Sequence, residues 1–317
     1  MSLSTRDLAA RTPSLFGGGP MPAHPAFRLR AAHPVGEGVG ARFMADGLSA
    51  PLAAAFPAGQ ERTDIALSGQ WKGGHWLARS GHLAGVFRAP LWDIPASNRV
   101  AFLRFGRFDR FEAGTLAETL VLLDLPHLMI EAGVWPVGPA LSGIVIAPGP
   151  ASHDGIVGDT DASEGAASLA LVEAMIGGLH EFDGDLKTMQ MRRYWHDDFW
   201  WFGPAPIGSF RGHADYERGH QRPFLTAFPD RIGGNHAARI GEGAYVASTG
   251  WPSITATHSG GSWLGLAPGN RPVTMRVMDF WRRDGDALAE NWVMIDIPDL
   301  LQQMGIDVFA RMRALLP

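Results

Sequence analysis

A repeat within the chain is the sequence feature that most limits its fold. When residues 94–134 are placed on residues 266–306 at a constant offset of 172, 13 of the 41 positions carry the same residue without a gap. Unrelated segments of this length would share roughly two or three residues. Asp124, for example, matches Asp296. The repeat therefore predicts two tandem copies of one domain in a chain of 317 residues.

The second copy ends in a predicted β-hairpin that leads into a short helix. Alternating residues 273–282 and 287–296 flank a turn at Gly285, where glycine can adopt a positive φ. Asp296 closes the second strand, ahead of a helical segment that ends at Gly305. The unusual residue is Asp296, because a carboxylate rarely closes an apolar strand.

The predicted domain organisation has three parts: residues 1–136, a linker of residues 137–160, and residues 161–317. The linker is rich in proline and glycine, and so are residues 1–40, for which we predict little regular structure. In the second copy, helical patterns begin near Asp161, Gly184 and His213, before and between long strands. This order predicts an α+β fold with antiparallel sheets.

Composition narrows the partners that this chain can have. The net charge of −5, without basic clusters, argues against nucleic acid and anionic membrane surfaces as partners. The chain has no cysteine, which excludes disulfides and thiolate metal sites and favours a cytoplasmic protein. No apolar run approaches the roughly 18 residues that span a bilayer, and the N-terminus does not read as a signal peptide. His213 and His220 share a helical face, but no third ligand follows, so no metal is predicted.

Several segments of the second copy together carry a family resemblance. They are Asp197-Asp198-Phe199-Trp200, Ala227-Phe228-Pro229-Asp230, Ala256-Thr257-His258-Ser259-Gly260, residues 265–271 and residues 282–303. This set resembles the SnoaL-like polyketide cyclase branch of the nuclear transport factor 2-like superfamily. The resemblance implies two tandem cone domains, each with a curved antiparallel sheet packed on N-terminal helices around a pocket.

The first copy resembles a degenerate cone domain that mainly packs against the second. Arg107 stands in place of Asp279, and Leu120 stands in place of Trp292. We find no counterpart of residues 195–202 in its sequence.

The resemblance also implies a function for the second copy. Cyclases of this family close or isomerise small carbonyl or polyketide-type compounds without a cofactor, and one pocket aspartate acts as general acid/base. By position Asp296 is that residue, with His258 or Asn291 as the second polar group. The family usually has an acidic or polar residue where Val293 stands in this chain.

Residue chemistry agrees with such a site. Burial in an apolar cavity raises the pKa of an aspartate, because it disfavours the charged form. Asp296 shares strand parity with Trp292, and Asp279 shares strand parity with Met275, so both faces could line one cavity. Trp200 is favoured over Trp201 as the pocket-facing residue of its strand. The predicted ligand-binding residues, for an apolar or aromatic carbonyl compound, are Trp200, Trp251, Trp263, Met275, Asp279, Asn291 and Trp292.

The two predicted catalytic residues, Asp296 and His258, can also have purely structural roles. Asp296 can serve as the N-cap of the helix that follows, and Asp124 stands in the same Asp-hydrophobe-Pro context, which strengthens that interpretation. His258 can be a turn histidine at the end of its strand.

Two further hypotheses for the function stay open. A hydrolase would activate water with Asp279, Arg276 and Asp296, although strand alternation turns Arg276 away from Asp279. A non-enzymatic module would use the pocket for binding or assembly, because the fold does not set the function. Two oligomeric states also stay open: a homodimer, or a monomer whose two copies mimic a dimer.

Overall fold

The computed structural model describes residues 4–18, 23–158 and 160–316. It contains two sheets, and each sheet is built from the strands of one half of the chain. Helices cover one face of each sheet, so the predicted α+β class with two cone domains is confirmed.

The first half forms a six-stranded sheet with the strand order β2-β1-β6-β5-β4-β3. Its strands are β1 (Ala23–Ala31), β2 (Glu37–Val39), β3 (Gln60–Trp71), β4 (Gly74–Val86), β5 (Val100–Glu112) and β6 (Thr115–Leu123). Its helices are α1 (Thr5–Arg11), α2 (Ala41–Met44), α3 (Ala50–Ala55) and α4 (Leu125–Glu131), and the π-helical segment Ala45–Ser49 joins α2 to α3.

The second half forms a sheet with the strand order β10-β11-β12-β13-β7-β8, and β9 pairs with β11. Its strands are β7 (Trp195–Phe202), β8 (Ser209–Arg211), β9 (Ile232–Gly233), β10 (His236–Glu242), β11 (Tyr245–His258), β12 (Arg271–Asp284) and β13 (Ala287–Ile295). Its helices are α5 (Ala162–His180), α6 (Gly212–Tyr216), α7 (Arg222–Ala227), α8 (Ile297–Gln303) and α9 (Val308–Arg313). The π-helical segment Glu217–Gln221 joins α6 to α7, and we call the continuous residues 212–227 the cover helix.

The offset of 172 that relates identical residues also relates many of these elements. It maps β2 onto β8, α3 onto α7, β6 onto β13 and α4 onto α8 without any change of length. It also maps one π-helical segment onto the other. The two halves therefore share their order of elements as well as part of their sequence.

Two predictions about the first half are wrong. Little regular structure was expected in residues 1–40, but their described part contains α1, β1 and β2. No counterpart of residues 195–202 was expected, but β1 is that counterpart at the offset of 172. Both sheets are mixed, because β1 runs parallel to β6 and β7 runs parallel to β13. Parallel strands that are far apart in the sequence are not joined by a hairpin turn, so no turn motif indicates their pairing. In addition, β1 and β7 have few identical residues.

The helices before β7 are partly as predicted. The helix predicted to begin near Asp161 is confirmed, because Asp161 caps α5 by accepting a hydrogen bond from the Ser163 amide at 2.9 Å. The helix predicted to begin near Gly184 is wrong, because Gln190 has a φ of 51° and separates two short 3₁₀ turns. Among the described residues, no helix is long and apolar enough to cross a membrane.

The two sheets pack against each other through the faces that point away from the helices. Phe108 and Phe280, which match at the offset of 172, place their ring centroids 5.6 Å apart across this contact. A Cβ atom on Gly106 would lie only 3.1 Å from the sulfur of Met278, so glycine permits this close approach. Each half thus has one sheet face on its own cone interior and the other on its neighbour.

Candidate active site

The register of β12 and β13 decides which side chains enter the cone of the second half. Asp279 lies opposite Val293, and Trp281 lies opposite Asn291, so these four side chains share one face of the sheet. Val293 and Trp281 belong to the apolar core under the helices. The alternate residues of both strands instead face the first half, as Phe280 does.

Asp279 is the carboxylate of the cone interior. Burial raises its pKa to about 7, while the Asn291 amide and the positive charge of Arg239 oppose that rise. The Asn291 amide nitrogen lies 3.5 Å from Asp279 Oδ1 and donates to the Phe280 carbonyl at 3.0 Å. Near neutral pH this aspartate can therefore both accept and donate a proton.

Tyr216 stands on the cover helix and faces the same interior. The pKa of its hydroxyl is raised by burial and by the nearby charge of Asp279. Asp279 and Tyr216 are deeply enclosed, yet both keep partly accessible surface. Neither side chain is therefore sealed off completely by its neighbours.

His220 lies one helical turn after Tyr216 and packs against Trp201, with ring centroids 4.2 Å apart. Burial lowers the pKa of His220 to about 3, so its imidazole is neutral. Within the described chain, neither His220 Nδ1 nor the neighbouring Gln221 Nε2 has a hydrogen-bond partner. Buried polar atoms rarely stay unpaired, so these two atoms are candidates to bind a polar ligand atom.

A polar row crosses the sheet at the level of Asp279. The register places Arg239 on β10 opposite Ser248 on β11, and Ser248 opposite Asp279. Arg239 lies 3.7 Å from the Glu173 carboxylate and also contacts His236. Its positive charge is thus held on the same face as the aspartate.

The corresponding cone of the first half is closed by its own ion pairs. Arg107, which occupies the position of Asp279, is fully buried and lies 2.8 Å from the Asp109 carboxylate. Thr119 donates to Asp109 at 2.7 Å, and Arg107 donates to the Pro13 carbonyl at 2.7 Å. Arg79 pairs with the same aspartate at 3.2 Å. The acid of the first cone is therefore fully engaged.

Asp296 does not lie on the face that carries Asp279. It is the N-cap of α8 and accepts the Asp299 amide at 3.3 Å, as the structural alternative predicted. It also accepts the His33 amide of the first half at 3.0 Å and pairs with Arg276 at 3.1 Å. Burial raises its pKa to about 6. The prediction that Asp296 and Asp279 share one cavity is wrong, because Asp296 follows the strand parity that faces the other half.

His258 lies at the far end of the sheet from Asp279. It pairs with Arg271, eight residues before Asp279 on β12, which corresponds to ~26 Å along the strand. Its buried ring contacts the Gly261 carbonyl through Nε2 at 2.9 Å. The structure thus places this predicted catalytic residue at the end of β11, next to a turn.

Two other predicted residues belong to the apolar interior near His258. Met275 is buried opposite Ile254. Trp263 is buried with its ring edge against Phe228 at 5.3 Å, and its indole nitrogen has no partner among the described residues. Asn291 is therefore the predicted ligand-binding residue that the structure brings directly to Asp279.

Three predicted tryptophans lie outside the cone. Trp200 is 40% exposed, with the Arg211 guanidinium 5.5 Å from its ring, so the preference for Trp200 over Trp201 is wrong. Trp251 donates to Glu37 of the first half at 2.9 Å. Trp292 donates to the Pro148 carbonyl at 2.8 Å and packs between the sheets. Each of these three side chains lies on the face of its strand that points away from the cone.

Sequence reasoning missed Tyr216 and Arg239 as neighbours of the site. A signal for the first existed, because Tyr216, His220 and Phe224 follow one another at helical spacing and form an aromatic stripe. Arg239 carried no such signal, since its approach to Asp279 depends on the pairing of three strands.

Comparisons with known proteins bear on this half of the chain. Residues 179–304 match the family model of SnoaL-like polyketide cyclases. The second half is a SnoaL-like domain. The match includes Tyr216, Asp279 and Asn291 of this domain. No curated protein matches the chain.

Several solved structures resemble one half of the chain. AclR from Streptomyces galilaeus is 22% identical, and the match covers 44% of this chain and 97% of AclR with a TM-score of 0.36. Wild-type IdmH from Streptomyces antibioticus is 26% identical over 42% of this chain and 98% of IdmH, with a TM-score of 0.33. An NTF2-like protein from Burkholderia xenovorans LB400 is 16% identical over 44% of this chain and 95% of its own, with a TM-score of 0.34.

Proposed function

We propose that the SnoaL-like domain binds a small apolar or aromatic carbonyl compound and catalyses its cyclisation or isomerisation by proton transfer through Asp279. The observation that carries this proposal is an aspartate with a pKa of about 7 on the cone face of the sheet, next to the Asn291 amide and near Tyr216 of the cover helix. This assignment moves the acid/base role from Asp296 to Asp279. It rests on the faces of β12 and β13.

The register supports the new assignment. The family resemblance implies an acidic or polar residue at position 293, where this chain has valine. Asp279 lies directly opposite Val293 on the neighbouring strand, so its carboxylate reaches the same part of the cone interior from the adjacent strand.

The proposed chemistry needs a base and a donor for a developing oxyanion. Ionised Asp279 takes a proton from the carbon next to the carbonyl, and the C–H electron pair forms the enolate double bond. The Tyr216 hydroxyl and the Asn291 amide are the donors that can stabilise the enolate oxygen. In a cyclisation the enolate carbon attacks a second carbonyl of the same molecule. Asp279 then returns its proton to the new alkoxide, so the reaction is balanced without a co-reactant.

The hydrolase hypothesis loses its proposed array. Arg276 pairs with Asp296 at 3.1 Å and with Asp299 at 3.4 Å. Since both partners lie away from the face of Asp279, no water can be held by Arg276 between the two predicted acids.

The test is proton exchange on a simple ketone. We expect the protein to accelerate deuterium incorporation into 2-tetralone in D₂O, measured by NMR after subtraction of the buffer rate. Asp279→Asn keeps the side-chain shape and should lower the acceleration by ~10²-fold or more, because it removes the base. Asp296→Asn is the matched control and should keep the acceleration. Saturable binding of 2-tetralone without exchange would favour the non-enzymatic module, and equal exchange by Asp279→Asn would overturn the assignment.

A further inference from the structure

A cavity lies between the two halves, outside both cones. Three tryptophans line it, and we call it the tryptophan groove: Trp71 and Trp76 from the first half and Trp251 from the second. Its volume is ≈ 360 Å³. This size falls within the range of about 300–1,000 Å³ that is usual for small-molecule sites.

The groove has one cation without a carboxylate partner among the described residues. Arg30 pairs with Glu118 and Glu37, and Arg110 pairs with Glu118 and Glu112, so both guanidinium groups are neutralised. Lys72 Nζ instead donates to the His236 carbonyl at 3.3 Å, and a carbonyl does not neutralise the ammonium charge. Lys72 is therefore the residue of the groove that can pair with an anion.

The cations lie against the indole rings. Lys72 Nζ is 5.7 Å from the Trp71 ring centroid, and the Arg110 guanidinium is 6.0 Å from that of Trp76. Aromatic faces and cations are thus presented side by side, as a flat anionic ligand requires.

Two indole N–H groups at the groove have no acceptor in the described ranges. They belong to Trp71 and Trp76, and Trp76 is only 3% exposed. Buried donors without an acceptor are uncommon, because desolvation of the donor is then uncompensated. An anionic ligand oxygen would supply such an acceptor after a small side-chain adjustment.

The related surface on the other side of the molecule shows what distinguishes the tryptophan groove. There, Glu290 pairs with Arg282 and also accepts the amide of Ala151, so the carboxylate holds the chain's own linker. The first-half counterpart, Glu118, pairs with Arg110, which is the counterpart of Arg282, and with Arg30, each at 3.2 Å. The linker thus covers one of the two related surfaces, and the other carries cations at an open cavity.

We propose that the tryptophan groove binds a planar aromatic carboxylate. The ring system stacks on the partly accessible indoles of Trp71 and Trp251, the carboxylate pairs with the Lys72 ammonium, and the Trp76 N–H donates to the same carboxylate. This site is separate from the cone of the second half and does not depend on the acid/base chemistry of Asp279.

The probe that tests the site is 2-naphthoate, with neutral 2-naphthamide as its uncharged counterpart. We expect saturable binding of 2-naphthoate by isothermal titration calorimetry, with weaker binding of 2-naphthamide. Lys72→Gln should weaken 2-naphthoate binding about tenfold, because a charge-assisted contact is lost. The chain has two lysines, and Lys187→Gln is the matched control that should bind as the wild type does. Trp76→Phe keeps an aromatic ring and should weaken binding through loss of the N–H donor.

Several outcomes would overturn this proposal. They are no saturable binding of 2-naphthoate at millimolar concentration, equal affinity in Lys72→Gln, or a loss of affinity in Asp279→Asn. The last result would place the anion in the cone rather than in the tryptophan groove. Thermal unfolding of each variant checks that it is folded. A wild-type affinity that does not fall as the salt concentration rises would also count against the Lys72 contact.

Discussion

Asp124 and Asp296, which are 172 residues apart, each accept a backbone hydrogen bond from the opposite half of the chain. Asp124 accepts the Ala205 amide at 3.0 Å, and Asp296 accepts the His33 amide at 3.0 Å. His33 and Ala205 are themselves 172 residues apart. Each aspartate also caps the helix that follows it. The presence of this acid in both halves is thus explained by two structural bonds in each.

The double role of these aspartates predicts a large loss of stability on truncation. Asp296→Ala should lower the free energy of unfolding by ~2–4 kcal/mol, because a cap is lost and a buried amide loses its acceptor. Asp124→Ala should have a similar effect. Asp307 is the matched control, since it is exposed and caps α9 through the Ala310 amide, so Asp307→Ala should cost ~1 kcal/mol. Urea unfolding measures all three, and equal losses would contradict the bond between the halves.

Asp279 predicts a pH dependence of stability with a definite sign. Its pKa is raised from 3.8 to about 7 in the folded protein, so the folded state binds more protons between these values. Its stabilising contribution is fully present below pH 3.8 and is lost as the pH rises through 7. Asp279→Asn should therefore unfold at a higher temperature than the wild type at pH 8, and the difference should be much smaller at pH 4.5. A variant that is less stable at pH 8 would contradict the burial of this charge.

The proton-exchange reaction should follow the ionisation of Asp279. The rate with 2-tetralone should rise with pH and level off above about 7, because only the ionised carboxylate is a base. The measurement is deuterium incorporation across pH 5 to 9 at a fixed ionic strength. Asp296→Asn should give the same profile. A midpoint that moves in this control would assign the ionisation to Asp296 instead.

Tyr216 should act on the enolate rather than on ligand binding. Tyr216→Phe removes the hydroxyl and keeps the ring, and should lower kcat by ~10-fold or more with little change in KM. Tyr245 lies at the contact with the linker, where its hydroxyl bonds to Asp154, so Tyr245→Phe is the matched control. Steady-state kinetics of ketone exchange separate the two, and a fall in kcat for both variants would point to a general loss of structure.

The ion pairs of the first cone should matter for stability alone. Asp109 is fully buried and holds Arg79 and Arg107, so Asp109→Asn leaves two buried guanidinium groups with weaker partners. We expect a loss of ~3–5 kcal/mol in urea unfolding. The exchange rate per folded molecule should stay at the wild-type value. A lower exchange rate per folded molecule in Asp109→Asn would show that the first cone takes part in the chemistry.

Sequence patterns predicted the last hairpin and the helix after it closely. The turn at Gly285 lies between β12 and β13, and the offset of 172 located matching elements in the first half. Both features depend on local spacing, which a sequence records directly. The strand β1 was missed, because it joins its sheet through a parallel neighbour far along the chain.

Strand alternation identified two faces but not which face enters the cone. It correctly grouped Asp296 with Trp292, but the face that carries them packs on the first half. The same ambiguity led to the prediction that Trp200 faces the pocket, whereas Trp201 is the buried residue. In a single-domain protein one face of such a strand meets water and is recognisable by polar residues. Here both faces are buried, so an apolar pattern cannot distinguish the cone from the contact between halves.

The face-to-face contact of the two sheets has a consequence for how the molecule behaves on dilution. Separate subunits that cover each other in this way come apart when their concentration falls below the dissociation constant. In this chain the linker keeps the partners at a constant effective concentration, so the contact survives at any dilution. One cone is thereby free to fill its interior with ion pairs, while the other keeps an ionisable acid on its interior face.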